Sequence, residues 1–470
     1  MTKTAIDIRC YCHGLGDCLL LRLPGAKGKG YWMLVDCGVH SSDTGGPGRI
    51  REVVEDIHAA TGGHIDVVVG THEHWDHLSG FLQAADEFAK FTIGEVWFSW
   101  AENPRDPDAR KLDRFKADAA LALAGASATL AGSPRMRDVS EGTAALLGFV
   151  FGAKGEKVRD AREALRGLAT MVRHLNPGDR APLPEHTGVR CFVLGPPRDP
   201  KLLGIEDVVS ETYAFGGAPL SVAPLANGLS VNGGTLRVSD DPAAPFDGSV
   251  GADWSRLSSG DWTADTPENA RFAWNHYLSP EDAYGAEQDW RRVDQDWLGS
   301  SVDIALQLDA RTNNTSLVLA LEIVDSGHVV MLAADAQIGN WMSWPSVRFP
   351  ASGAAPATDG SDLISRTVFY KVGHHGSRNA TRASALEMMD HENLVAFTPT
   401  NEAVAKKVRW SDFPAPKTKA RLAEVTSGRF VQSDAPWIHD PAMRMPTIEG
   451  GALLEPMSHP TKISIQFRIG

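Results

Sequence analysis

The run Val67-Val68-Val69-Gly70-Thr71-His72-Glu73-His74-Trp75-Asp76-His77 constrains this chain more than any other stretch. An apolar strand ends there, and four side chains able to bind a metal follow in H-x-H-x-D-H spacing. A tight loop after a strand lets His72 and His74 point one way while Asp76 and His77 turn toward a second position. That is the layout of a dinuclear site. Imidazole and carboxylate together suit Zn²⁺ first, with Mn²⁺ or Fe²⁺ as alternatives. The bland alternative is a polar surface loop with chance histidines, which the spacing disfavours.

Two later positions belong to the same chemistry. Asp335 closes the apolar run Val329-Val330-Met331-Leu332-Ala333-Ala334, where an ionised carboxylate is costly unless it is paired or metal-bound. A ligand bridging two cations is the natural reading, and a plain strand-end turn residue is the alternative. His374 and His375 follow Val368-Phe369-Tyr370-Lys371-Val372-Gly373. Neighbours on an extended chain point to opposite faces, so one of the two is expected to reach the site.

With these blocks the chain resembles the metallo-β-lactamase superfamily. Gly14-Leu15-Gly16-Asp17-Cys18-Leu19-Leu20-Leu21 and Met33-Leu34-Val35-Asp36-Cys37-Gly38 are similar to that family's opening hairpin and strand-end Asp-x-Gly turn. Asn313-Asn314-Thr315-Ser316-Leu317-Val318-Leu319, the Asp335 strand and Lys371-Val372-Gly373-His374-His375-Gly376-Ser377 follow in an order that resembles the hydrolase domain of the ComEC family of competence DNA-uptake proteins. The blocks lie toward both ends and leave long stretches between them uncovered.

The resemblance implies an α/β fold, the αββα four-layer sandwich, holding two divalent metal ions. It puts His72 and His74 on one metal, Asp76, His77 and His374 on the other, and Asp335 between them. His374 is the expected last ligand because the family's final ligand usually comes directly off the strand. His375 then lines the cleft, unless the two roles are exchanged. Active relatives usually add a third histidine to the first metal from a mid-chain turn. The corresponding stretch, Val189-Arg190-Cys191-Phe192-Val193-Leu194-Gly195-Pro196-Pro197, has prolines there. His174 and His186 are the candidate substitutes from nearby loops, although plain surface histidines are the simpler reading, and the first metal is then expected to be weakly held.

The chain reads as a single domain over residues 1–470 carrying insertions at about 100–180 and 200–300. In the first, Lys111–Leu123 and Val158–Leu168 have amphipathic helical character and either cover the site's rim or extend the outer helical layer. The second is loop-rich and contains Trp254, Trp262, Trp274, Trp290 and Trp297, either as a stacking platform or as packing for a segment sparse in secondary structure. Asn379–Met389 reads as a helix, Leu394–Thr398 as a strand, and the alternation of Thr461–Ile469 as a half-buried strand that ties the C-terminus into a sheet.

A net charge of −13 opposes broad binding to polyanions, which relies on clustered Lys and Arg. Arg378, directly after the His-His-Gly-Ser turn, is a candidate phosphate contact, with Lys371 and Arg382 as further local positive charges. No stretch is long and apolar enough for a membrane span, the N-terminus begins a strand instead of a signal peptide, and five cysteines (Cys10, Cys12, Cys18, Cys37, Cys191) fit free thiols in the cytoplasm. No protein partner is legible.

Two cations sharing Asp335 would lower the pKa of a bridging water and supply hydroxide, with Asp76 orienting it and His375 serving the leaving group. Asp36 supports the metal loop, while His13 and His40 are unassigned. The preferred function is a metal-dependent phosphodiesterase or nuclease acting on a phosphodiester or nucleic-acid substrate. The alternatives are hydrolysis of a carboxylic ester, thioester or lactam, and a catalytically weakened metal-binding module that works through a partner.

Overall fold

The computed structural model describes residues 4–43, 45–131, 137–150, 156–205, 208, 268–273, 275–276, 301–407, 413–440, 442–454 and 463–470. The five tryptophans singled out in the second insertion lie outside the described residues. Two compact units are present, one formed by Met1–Arg114, Gly148–Ala218 and Asp309–Gly470, the other by Phe115–Leu147 and Pro219–Leu308.

In the first unit, apolar strands build two seven-stranded sheets. The strands are β1 (Ile6–Tyr11), β2 (Leu19–Leu23), β3 (Tyr31–Val35), β4 (His64–Val69), β5 (Thr92–Ser99), β6 (Met171–Leu175), β7 (Arg180–Ala181), β8 (Val189–Gly195), β9 (Val318–Ile323), β10 (Val329–Leu332), a two-stranded ribbon of β11 (Arg348–Phe349) and β12 (Thr358–Asp359), β13 (Thr367–Lys371), β14 (Val395–Thr398), β15 (Phe430–Gln432) and β16 (Ser464–Ile469). The first sheet runs β16-β1-β2-β3-β4-β5-β6 and the second β15-β14-β13-β10-β9-β8-β7. Each is antiparallel at one side and parallel at the other: β3 to β6 are parallel, as are β10, β13, β14 and β15.

The sheets face each other across one apolar core. Val67 and Val69 of β4, Val330 and Leu332 of β10, and Ile465, Phe467 and Ile469 of β16 enter it. Val68 points the other way, to helix α1 (Gly46–Thr61) and helix α2 (Trp75–Gln83), whose Ile50, Val53, Val54, Ile57, Leu78 and Phe81 cover the outer face of the first sheet. Val329 and Met331 point outward from the second sheet toward Leu363, Ile364, Leu386 and Leu422 of its own helices. Strands buried on both faces read as continuous apolar runs, as these do. The result is the expected αββα sandwich.

The C-terminal strand pairs antiparallel with β1, from Ile6 opposite Ile469 to Tyr11 opposite Ser464. The expected helix over Asn379–Met389 is shorter, Ala383–Met388. Its first residues are taken up elsewhere: Asn379 Nδ2 donates to Gln337 Oε1 at 3.0 Å, Trp341 Nε1 donates to the Ala380 carbonyl at 2.8 Å, and Thr381 shares a hydroxyl bond with Tyr370.

In the first insertion, helices span Pro107–Ala131, Arg137–Val150 and Glu156–Arg166. Within the second unit, Ser127 and Ser140 each donate a hydroxyl to the other's carbonyl, at 3.0 and 2.8 Å, clamping two helices together. The helix Glu156–Arg166 buries Val158, Ala161 and Leu165 on the outer layer of the first sheet. All five cysteines are buried and free, and no helix among the described residues is long and apolar enough to cross a membrane.

Candidate metal centre

The site lies beyond the carboxyl ends of the parallel strands, where open α/β sheets present their functional loops. β3 leads to Asp36, β4 to His72, β10 to Asp335, β13 to His374 and His375, and β14 to Pro399. A backbone hydrogen bond from Leu317 N to Thr71 O (2.8 Å) joins the loops of the two sheets here.

Two glycines of the opening motifs make room for the metal loop. A Cβ on Gly16 (φ +153°) would collide with Gly38 O, and one on Gly38 would collide with the Asp76 backbone. Chain segments therefore touch directly: Asp17 N donates to Asp76 O (3.0 Å), Gly38 N to Asp17 O (3.0 Å) and Cys37 N to His77 O (2.9 Å). These bonds fix the start of α2, where Asp76 also sits favourably in the first turn.

Asp36 then orients the loop. It accepts Thr71 N (2.9 Å), Thr71 Oγ1 (2.7 Å) and His77 Nδ1 (2.7 Å). That leaves His77 Nε2 facing Asp335 Oδ2 at 3.1 Å. The His72 ring lies 4.2 Å from that of His77 and 4.7 Å from that of His74. His375 Nδ1 donates to Pro399 O (2.7 Å), while its Nε2 meets Asp76 Oδ2 at 2.8 Å and Asp335 Oδ2 at 3.8 Å. One ligand atom from each of Asp17, His77, Asp335 and His375 fits within 4.8 Å of the others. The six expected residues His72, His74, Asp76, His77, Asp335 and one of the histidine pair thus come together.

The member of the pair inside that group is His375, whereas His374 was the expected ligand. His374 Nδ1 lies 3.0 Å from both Gln337 Nε2 and Ser377 Oγ, and its Nε2 lies 3.4 Å from Asn313 Nδ2. The difference has a backbone cause. The chain is not extended after Gly373 but turns through left-handed conformations at His374 (φ 39°) and His375 (φ 52°), so face alternation does not apply. Asp36 (φ 56°) and Ala334 (φ 49°) share this strained conformation, and these four with Ser427 are the only such non-glycine residues among those described. Clustered strain of this kind marks functional sites.

Sequence reasoning did not foresee Asp17 and Lys371 as members of the centre. Lys371 is buried between Asp17 Oδ2 and Asp335 Oδ1, the latter at 3.3 Å, and donates to the Ala334 carbonyl at 2.8 Å. It is therefore not a phosphate contact. A lysine inside an otherwise apolar strand, Val368-Phe369-Tyr370-Lys371, was the available signal. Asp309 also approaches, with Oδ1 3.7 Å from His74 Nε2. His174 instead contacts Arg166 at 3.3 Å on strand β6, and His186 is exposed, so neither joins the centre.

Burial dominates the titration of the outlying imidazoles: it lowers His72 far below its ordinary range, His74 to about 3 and His374 to about 4. For His77 burial acts in the same direction, yet Asp335, Asp17, Asp36 and Asp76 outweigh it and raise the pKa strongly. His375 is raised likewise, chiefly by Asp335 and Asp76. Burial would raise Asp335 and Asp76, but His77 leads the opposing charges, holding both well below the usual carboxylate range. His72 Nε2 and Asp76 Oδ1 are buried without a hydrogen bond. Buried polar atoms seldom lack partners, and orphaned nitrogen and oxygen donors beside a His/Asp cluster fit divalent cations.

Fold and centre together define an αββα protein with a histidine- and aspartate-rich candidate metal site. Residues 14–126 match the sequence model of the metallo-beta-lactamase superfamily, whose members are typically hydrolases. The matched stretch contains the opening motifs, Asp36 and the whole His72 loop, while Asp335 and His375 lie beyond it. No curated protein and no solved structure matches the chain.

Proposed function

We propose that this protein is a metal-dependent hydrolase whose preferred substrates are phosphodiesters. The observation that carries the reading is the convergence of His72, His74, Asp76, His77, Asp335 and His375 from three strand ends of two sheets, with His72 Nε2 and Asp76 Oδ1 buried and without a hydrogen bond. His72 and His74 would hold one divalent cation, Asp76, His77 and His375 the other, and Asp335 both. Zn²⁺ fits the imidazole-rich donor set, with Mn²⁺ or Fe²⁺ as alternatives. Such cations, when bound, activate water and polarise a phosphoryl or carbonyl oxygen.

The chain's own residues do the rest. Asp36 fixes the His77 ring, and the Pro399 carbonyl fixes that of His375, so each presents Nε2 inward. Lys371 holds Asp335 in place and screens it from Asp17. Arg378, exposed directly after the His374-His375-Gly376-Ser377 turn, would supply the positive charge for a phosphate oxygen. With the ComEC-like His-His-Gly-Ser and Asn-Asn-Thr-Ser blocks, it supports phosphodiester over acyl chemistry. The acidic net charge of −13 favours oligonucleotide ends or single strands over long duplexes.

The test is a side-by-side rate comparison with Zn²⁺ or Mn²⁺ supplied, on a bis-aryl phosphate, a single-stranded oligonucleotide, a thioester, a lactone and a β-lactam. The phosphodiesters should be cleaved fastest. A clear preference for any acyl substrate would instead establish ester, thioester or lactam hydrolysis, and metal-loaded protein inactive on all five would mark a binding module.

A further inference from the structure

The superfamily pattern leaves the cation at His72 and His74 one ligand short, and the structure closes the route by which a mid-chain histidine would supply it. At the end of β8, Trp100 Nε1 donates to the Pro196 carbonyl at 2.9 Å, and any side chain at Gly195 would collide with Asn340 Oδ1. Asp309, in the last turn of the helix that ends at Asn313, reaches the His74 imidazole from a different direction. It is buried, and Asn313 Nδ2 donates to its Oδ2 at 3.0 Å, which turns Oδ1 toward His74 Nε2 at 3.7 Å. Two ligands of one tetrahedral ion, each about 2.1 Å from it, stand about 3.4 Å apart, so the observed spacing needs only a small closure around a cation.

The geometry points to Asp309 as the third protein ligand of the first cation, in place of a histidine, giving that ion a His72–His74–Asp309 set. This inference rests on the metal-centre reading above. Exchanging a neutral imidazole for a carboxylate adds one negative charge and a hard oxygen donor. Two histidines with one carboxylate suit Mn²⁺ and Fe²⁺ as well as Zn²⁺. Asn313 has a defined part here: its amide orients the carboxylate as outer-shell partners of metal ligands commonly do.

The test is metal titration of the full chain, stripped and reloaded with Zn²⁺, Mn²⁺ or Co²⁺, in the wild type, Asp309→Asn and Asp309→His. Asp309→Asn preserves size and Asp309→His restores a superfamily-like donor, so two variants guard against a simple folding defect, which circular dichroism would reveal. Two ions are expected in the wild type. Asp309→Asn should weaken one of them by about 100-fold or more, because loss of an outer-shell partner already costs 10–100-fold. Asp309→His should recover two ions, with a shifted visible Co²⁺ spectrum reporting nitrogen in place of oxygen. Asp309→Asn with wild-type stoichiometry and affinity would overturn the assignment while leaving the metal centre standing. A wild type that takes up no metal would overturn the metal centre itself, and this inference with it.

Discussion

His374 and His375 show how much a single backbone turn decides at the scale of the residue. Two adjacent histidines after a strand are chemically equivalent in the sequence, and ordinary alternation would send one inward and one outward. Left-handed φ values at both positions instead bring His375 Nε2 to Asp76 and leave His374 among Gln337, Ser377 and Asn313. His375→Ala should therefore remove at least one equivalent of bound Zn²⁺, and His374→Ala should remove little, as measured by elemental analysis of dialysed protein; the reverse order would return the ligand role to His374. The His72 loop was legible because its spacing is local and its histidines sit on one short turn. Asp17 and Lys371 were not, since their partnership joins positions 354 residues apart (371 − 17) through the facing ends of β2's hairpin and β13, and only the folded sheets bring them together.

Elements were legible wherever burial leaves a simple period. β16 alternates as the sequence suggests, and β4 and β10 read as apolar runs because helices cover one face and the opposite sheet the other. What periodicity could not supply is what the buried face of an insertion helix touches beyond its apolar stripe. In the helix Glu156–Arg166, Arg162 Nη1 reaches Glu73 of the metal loop at 2.7 Å and Glu102 at 2.9 Å, so the helix both extends the outer layer and grips the loop. Removing this cation leaves two carboxylates facing each other in a poorly solvated place. Arg162→Met should cost about 3 kcal/mol in denaturant unfolding of the stripped protein, whereas a change below about 0.5 kcal/mol would reduce the contact to an ordinary surface pair. The neighbouring His174 tests the pH dependence of the same layer. Burial first, and Arg166 second, lower its pKa to about 4 from an ordinary 6.5. The unfolded chain then binds more protons than the folded one between those values, so this contribution to stability is full above pH 6.5 and fades as pH falls toward 4. His174→Gln should flatten the loss of stability across that window in acid titration, and an unchanged slope would remove His174 from the account.

For the whole molecule, the centre is a concentration of charge that an apolar sandwich would not otherwise tolerate. Asp17, Asp36, Asp76 and Asp335 are all within 1% of complete burial, set against His77, His375 and Lys371. Divalent cations would bind the folded arrangement and not the separated strands, because the donors come from positions as distant as 72 and 375. Metal binding should then stabilise the fold by mass action, by about 2.7 kcal/mol at a free metal concentration 100 times the dissociation constant. A chain with two compact units need not unfold in one step, so a single melting temperature is a poor readout. Hydrogen exchange resolves the effect by position. Adding Zn²⁺ to stripped protein should slow exchange over residues 71–78, 333–336 and 372–377, and a chelator should reverse it, while residues 115–147 of the second unit should exchange as before. Slowing spread evenly over both units would point to nonspecific metal binding, and no slowing at the three strand ends would mean that the buried charges are balanced by protons and Lys371 alone.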